Sequence, residues 1–216
     1  MKKTGPELIL LYLLLIAGGV WHLLGWFQDL MRLTAGPLLI ALAVFLFVTF
    51  LSVQAQKPRA VLWGLLVFAG GFLFEAVGVK TGLIFGDYTY GSVLQPQITG
   101  VPLAIGFAWL GIQISSLAVA QRLLPRRSPY LIALATALLM VAFDVFMEPA
   151  AIYLNYWTWS GGHPPLHNYL GWFGIALLFS LLGARLQLYE KRLPIFALHA
   201  YAAQLIYFVL INIKTL

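Results

Sequence analysis

The stretch FDVFMEPAAIYLNYWTW, residues 143–159, places two acids inside an apolar segment that ends in an aromatic-rich loop. Asp144 and Glu148 stand four residues apart, so on a helix they share one face. A charged carboxylate in the hydrocarbon of a bilayer costs about 2.5–3.5 kcal/mol on insertion scales. The segment therefore predicts a membrane helix whose acids are held neutral, paired or used in a reaction.

The composition of the whole chain agrees with a membrane location. Its 216 residues are 62% hydrophobic and 9% charged, whereas soluble domains carry about 25% charge. The absence of cysteine excludes thiolate metal sites. Seven apolar runs of about 20 residues predict an all-α integral membrane protein, a seven-transmembrane-helix bundle within a single polytopic domain over 1–216. The predicted spans are 7–27, 36–54, 60–79, 101–122, 129–148, 168–188 and 193–213. The first run resembles a signal peptide without a clear cleavage site, and we interpret it as a retained helix.

The positions of Lys and Arg predict how the bundle is oriented. Ten of the 13 fall in segments that the seven-span model places on one side, and three fall opposite. Positive residues mark the cytoplasmic side, so we predict a cytoplasmic N-terminus and an external C-terminus. The ten are Lys2, Lys3, Lys57, Arg59, Arg122, Arg126, Arg127, Arg185, Lys191 and Arg192, and the three are Arg32, Lys80 and Lys214. In this orientation two long loops, roughly 80–100 and 149–167, both face outward. Since long loops are usually functional, we expect the active site on the outer half of the membrane.

The opening stretch has a counterpart earlier in the chain. FEAVGVKTGLIFGDYTYG (74–91) aligns without a gap with FDVFMEPAAIYLNYWTWS (143–160), and PLAIGFAWLG (102–111) aligns with PLHNYLGWFG (165–174). The alignment predicts two parallel repeats, helices 3–4 (about 60–122) and helices 5–6 (about 129–188). The alternative is that apolar helices align easily and that aromatic residues belong at membrane interfaces.

The acids at matched positions are the leading candidates for a catalytic site. Glu75 aligns with Asp144, and no Lys or Arg lies at their predicted depth. Without a cation, at least one acid should be protonated at neutral pH and able to donate a proton. The alternative is that the acids brace the bundle through ion pairs. The candidate catalytic residues are Asp144, Glu75, Glu148, His167, Asn168 and Asp87, with His167 and Asn168 orienting water or relaying a proton, and Asp87 either capping the site or forming a turn.

Aromatic side chains close to these acids indicate the kind of reaction. Their π faces stabilise positive charge, so an acid among them suits protonation of an alkene to a carbocation. The candidate substrate-binding residues are Tyr88, Tyr90, Trp109, Trp157, Trp159 and Trp172. The sequence lacks a metal-ligand spacing on a helix, a phosphate loop and a dinucleotide-binding glycine pattern. It also lacks the basic patch of a nucleic-acid binder and the lysine within the last helix that a retinal protein needs.

Several short motifs resemble the bacterial and archaeal carotenoid hydratase family, which includes γ-carotene hydroxylase-type and bisanhydrobacterioruberin hydratase-type enzymes. They are GVKTGLIFGDYTYG, GVPLAIGFAW and the later D-x-x-x-E-P, YWTW and PLHNYLGWF, all within about 72–175. The resemblance implies addition of water to the terminal double bond of an acyclic ψ end, with no cofactor. We expect Asp144 to be the leading proton donor, Glu75 its paired carboxylate and Glu148 a residue that tunes the pair.

The expected partners are a long apolar carotenoid, water and the lipid bilayer, with other carotenoid-pathway enzymes a further candidate and nucleic acid excluded. The expected location is the plasma membrane of a prokaryote.

Two alternatives for the function stay open. A lycopene-type cyclase starts with the same protonation, but its Pro-x-Glu-Glu signature is replaced here by Pro102-Leu103 and Pro165-Leu166. A small proton-coupled carrier would use the acids for transport and leave carotenoids unaltered.

Overall fold

Seven long helices and four short strands make up the part of the chain, residues 5–215, that the computed structural model describes. The helices are α1 (Pro6–Leu24), α2 (Gln28–Val53), α3 (Lys57–Thr81), α4 (Ala104–Leu123), α5 (Pro129–Tyr153), α6 (Leu166–Arg185) and α7 (Ile195–Asn212). The strands are β1 (Tyr88–Tyr90), β2 (Gln97–Ile98), β3 (Val101–Pro102) and β4 (Trp157–Trp159). All seven helices are long and apolar enough to cross a membrane, so the predicted all-helical, multi-pass class is confirmed.

Some of the predicted helix ends are wrong. Helix α2 begins at Gln28 rather than 36, because it continues through Arg32, which the prediction assigned to a loop. Helix α5 continues through Pro149 to Tyr153 rather than ending at 148. A proline has a helical φ; it removes one backbone donor and crowds the carbonyl four residues earlier, a local cost that a long helix can tolerate. Helix α4 begins at Ala104 because residues 101–102 form β3 instead, and the other ends lie within three residues of those predicted.

Helix α4 lies at the centre of the bundle. It packs against α2, α3, α5 and α7, and most of its side chains are buried. The surrounding helices expose large apolar side chains such as Leu33, Leu73 and Leu170. An apolar exterior around a buried centre is the arrangement expected of helices surrounded by lipid.

Two of the strands form a small antiparallel ribbon that joins the loop after α3 to the loop after α5. Thr89 lies opposite Thr158 at its centre, with Tyr88 opposite Trp159 and Tyr90 opposite Trp157. The two threonine hydroxyls lie 3.3 Å apart. Two units related by a two-fold axis would pair in this way, with the matched threonines on the axis. The repeat and the membrane orientation stay predictions, and Lys2 and Lys3 lie outside the described residues.

Candidate active site

An apolar cavity lies among helices α2 to α7. Its volume is about 840 Å³ when the space at its open mouth is included. Two carboxylic side chains, Glu75 of α3 and Glu148 of α5, form part of its wall. The rest of the wall is mainly aliphatic and aromatic. A concave, mostly apolar site with a few convergent polar groups is typical of small-molecule binding.

Glu75 is buried and receives hydrogen bonds on both carboxyl oxygens. The indole N–H of Trp109 donates to Oε1 at 3.0 Å. The Tyr90 hydroxyl donates to Oε2 at 2.9 Å, and the Tyr88 hydroxyl donates to the same oxygen. Three donors orient this carboxyl group firmly, since a carboxylate accepts through both oxygens.

The two tyrosines that hold Glu75 come from β1, outside the membrane-spanning segments. Burial raises the pKa of Tyr88 and of Tyr90 above the ordinary value, and the nearby negative charge of Glu75 acts in the same direction. Both phenols therefore keep their protons at accessible pH and remain hydrogen-bond donors.

Glu148 is held by two tryptophans of β4. The indole N–H groups of Trp157 and Trp159 donate to Oε2, at 3.0 Å and 2.9 Å. Within residues 5–215, no hydrogen bond is made to the other oxygen, Oε1. Glu148 therefore has one oxygen fixed by the protein and one available to a molecule in the cavity.

Asp144 lies behind the cavity wall. Its side chain is fully buried, and its Oδ2 accepts a hydrogen bond of 2.8 Å from Asn168 Nδ2. Its Oδ1 is buried without a partner among the described residues. Asn168 lines the cavity, whereas Asp144 does not. Asp144 is thus placed to orient the Asn168 amide from outside the cavity.

All six predicted aromatic residues line the cavity. Trp109 and Trp172 stack with ring centroids 4.3 Å apart, and Tyr88 and Trp159 face each other at 4.8 Å. Tyr90 meets Trp157 edge to face at 5.8 Å. Aromatic faces within about 6 Å of a cation attract it, so the wall can stabilise a positive centre near the acids.

Two glycines make room for the groups that hold Glu75, and the sequence analysis missed both. A Cβ at Gly71 would lie 2.6 Å from Trp109 Cγ, and one at Gly78 would lie 2.6 Å from Phe85 Cδ2 and 3.5 Å from the Tyr88 hydroxyl. Each glycine stands about one helical turn from Glu75 on α3. These two glycines, one on each side of Glu75 at one-turn spacing, are the sequence feature from which their role could have been predicted.

Two predicted residues lie away from the cavity. His167 and Asp87 are exposed and are not in its wall. His167 precedes Asn168 on α6, and a shift of one residue turns a side chain by about 100°, so only one of the two can face inward. Asp87 contributes its backbone carbonyl, which accepts a 3.0 Å hydrogen bond from Ser160 N beside the ribbon.

Other residues of the cavity wall were not predicted. Gln204 of α7 carries an amide into a mostly apolar helix, and this polarity was a usable signal. The remaining additions are apolar or aromatic and look like ordinary core residues in the sequence. They include Leu39, Leu42, Leu46, Phe85, Phe143, Met147, Tyr156 and Phe208.

The fold and the cavity together define a multi-pass membrane protein with buried acids. Within residues 5–215, the side chains that donate hydrogen bonds to these acids are aromatic residues and one amide. Residues 35–215 match the family described as carotenoid biosynthesis protein, and the chain belongs to that family. The chain is also similar to the bisanhydrobacterioruberin hydratase of Haloarcula japonica, with 29% identity over 104 residues. That alignment covers 45% of this chain and 36% of the relative. No solved structure matches the chain.

Proposed function

We propose that the protein is a membrane carotenoid hydratase that adds water across the terminal double bond of an acyclic ψ end. The observation that carries this proposal is the presence of Glu75 and Glu148 in one apolar cavity, held by aromatic donors. Family membership and the similarity to a hydratase support a carotenoid substrate. A location in the cell membrane of a prokaryote belongs to the same proposal.

In the proposed first step, protonated Glu148 gives its proton to the less substituted carbon of the double bond. The π electrons form the new C–H bond, and the other carbon becomes a tertiary cation. Glu148 suits this role because its Oε1 accepts no hydrogen bond from the described residues, while the two indole N–H groups on Oε2 stabilise the carboxylate left behind. The aromatic faces of the wall stabilise the cation.

In the second step, water attacks the tertiary carbon, and its excess proton goes to Glu75. A proton then returns from Glu75 to Glu148, so the net change is the addition of one water molecule. Asn168 is suited to orient that water, because its amide lines the cavity while Asp144 holds it from behind. Asp144 is therefore a positioning residue in this scheme, and Glu148 takes the direct donor role.

The test is expression in cells that accumulate lycopene, grown in ¹⁸O-labelled water. We expect a product one water heavier that carries the label on a tertiary alcohol. As a control for loss of a carboxyl group, Glu190→Gln should convert normally, because Glu190 is exposed in the segment between α6 and α7. A product of unchanged mass would replace the proposal with a cyclase, and oxygen drawn from O₂ would refute hydration.

A further inference from the structure

A second apolar space lies between α1, α2 and α7. Its volume is about 1170 Å³ when the space at its open side is included, and it is lined mostly by leucines and other apolar side chains. Helix α1 packs along α7 but makes few contacts with α2, so a groove stays open between α1 and α2. Leu10, Leu14 and Leu38 are exposed along it, so its open side faces lipid in a protein of this class.

The groove extends far along the bundle. Its wall on α2 runs from Met31 to Phe45, which at a rise of 1.5 Å per residue is about 20 Å. On α1 it runs from Glu7 to Gly18. A straight hydrocarbon of several isoprene units fits a groove of this length.

The groove and the acid-bearing cavity share part of their walls. The shared residues come from α2, α7 and the loop before β4, and they are Leu39, Leu42, Tyr156, Gln204 and Phe208. The two spaces are therefore adjacent across this junction. Gln204 donates its amide N–H to Ala200 O at 3.0 Å, which ties its side chain back to its own helix.

A carotenoid with its end in the cavity must place the rest of its length elsewhere. The β1–β4 ribbon supplies the aromatic wall on one side of the cavity, and an apolar chain does not leave toward water. The groove is apolar, elongated and next to the cavity. We propose that it binds the polyene of the substrate and admits it sideways from the bilayer, an inference that rests on the proposed hydratase function.

Groove-filling variants provide the test. Ala35 and Ala41 of α2 line the groove, and a Trp at either position would project a large ring into it. Val44 is 45% exposed on the same helix but does not line the groove, so Val44→Trp is the matched control. Each protein is purified from lycopene-accumulating cells, and the retained carotenoid is measured by visible absorption per mole of protein. Hydrated product is measured in the same cells.

We expect Ala35→Trp and Ala41→Trp to retain at least tenfold less carotenoid and to form correspondingly less product, while Val44→Trp matches the wild type. Wild-type retention and conversion by both groove variants would overturn the proposal and leave the groove to lipid chains. A wild-type protein that neither retains nor converts lycopene would overturn it as well. The two proposals fail separately, because groove-dependent retention without hydrated product would refute the hydratase and keep the binding groove.

Discussion

Glu148→Gln removes an acid from the cavity wall while leaving its two hydrogen-bond donors an acceptor. Trp157 and Trp159 both donate to Oε2. The amide oxygen of a glutamine can take both bonds, and its NH₂ group would then occupy the place of the free Oε1. The variant should therefore fold and keep the cavity, and it should lose only the transferable proton.

The expected loss of activity follows from the role of the group. A positioned general acid contributes about 100- to 10,000-fold to a rate, which corresponds to about 2.7–5.4 kcal/mol of transition-state free energy. Stability should change far less, because both indole N–H groups keep a neutral acceptor. A change of about 1 kcal/mol would shift Tm by about 2–4 °C in a protein of this size.

The assay is the rate of hydrated product formed from lycopene in membranes that contain equal amounts of each variant, with Tm measured on the purified proteins. Glu190→Gln serves as the matched loss of an exposed acid. If Glu148→Gln forms product at a rate within threefold of the wild type, Glu148 is not the donor. A large fall in Tm would instead show that the glutamate mainly supports the structure.

Three further variants test the other parts of the site. Asp144→Asn should lose at most about tenfold in product formation, because the Asn oxygen can still accept the hydrogen bond from Asn168 Nδ2. A loss as large as that of Glu148→Gln would give Asp144 the donor role. Gly71→Ala should lower product formation, because the added Cβ would press on Trp109. Its control is Gly174→Ala, whose Cβ meets open space and which should leave product formation unchanged. Equal rates for both variants would contradict the packing argument. His167→Ala should keep activity within about twofold, as exposed positions usually do, and loss of product at normal protein level would return His167 to the site.

Much of the fold could be predicted because hydropathy is a local property of the chain. Seven apolar runs became seven helices, and each run is readable without knowing its neighbours. The helix ends depended on local details instead. Arg32 and Pro149 both lie inside helices, because one charged group near a helix end or one proline costs less than ending a long hydrogen-bonded helix there.

The residue types of the site could be predicted, but which side chains face the cavity could be predicted less well. Acids and aromatic residues stand out in an apolar chain, and Glu75, Glu148 and the six aromatic residues all line one cavity. Which side of a helix faces inward depends on packing between helices. The sequence could not separate His167 from its neighbour Asn168, and it could not place Asp144 one layer behind the wall. Gly71 was overlooked because its contribution is the absence of a side chain.

The hydrogen-bond donors of the two glutamates differ in part: Glu75 has two phenols besides an indole, whereas Glu148 has indoles alone among the described residues. A phenol both donates and accepts, so it can pass a proton along, whereas an indole N–H can only donate. Tyr88 and Tyr90 can therefore relay a proton to or from Glu75, while Trp157 and Trp159 cannot do so for Glu148. Among the described residues, proton exchange through these hydrogen-bond donors is thus expected at Glu75 rather than at Glu148.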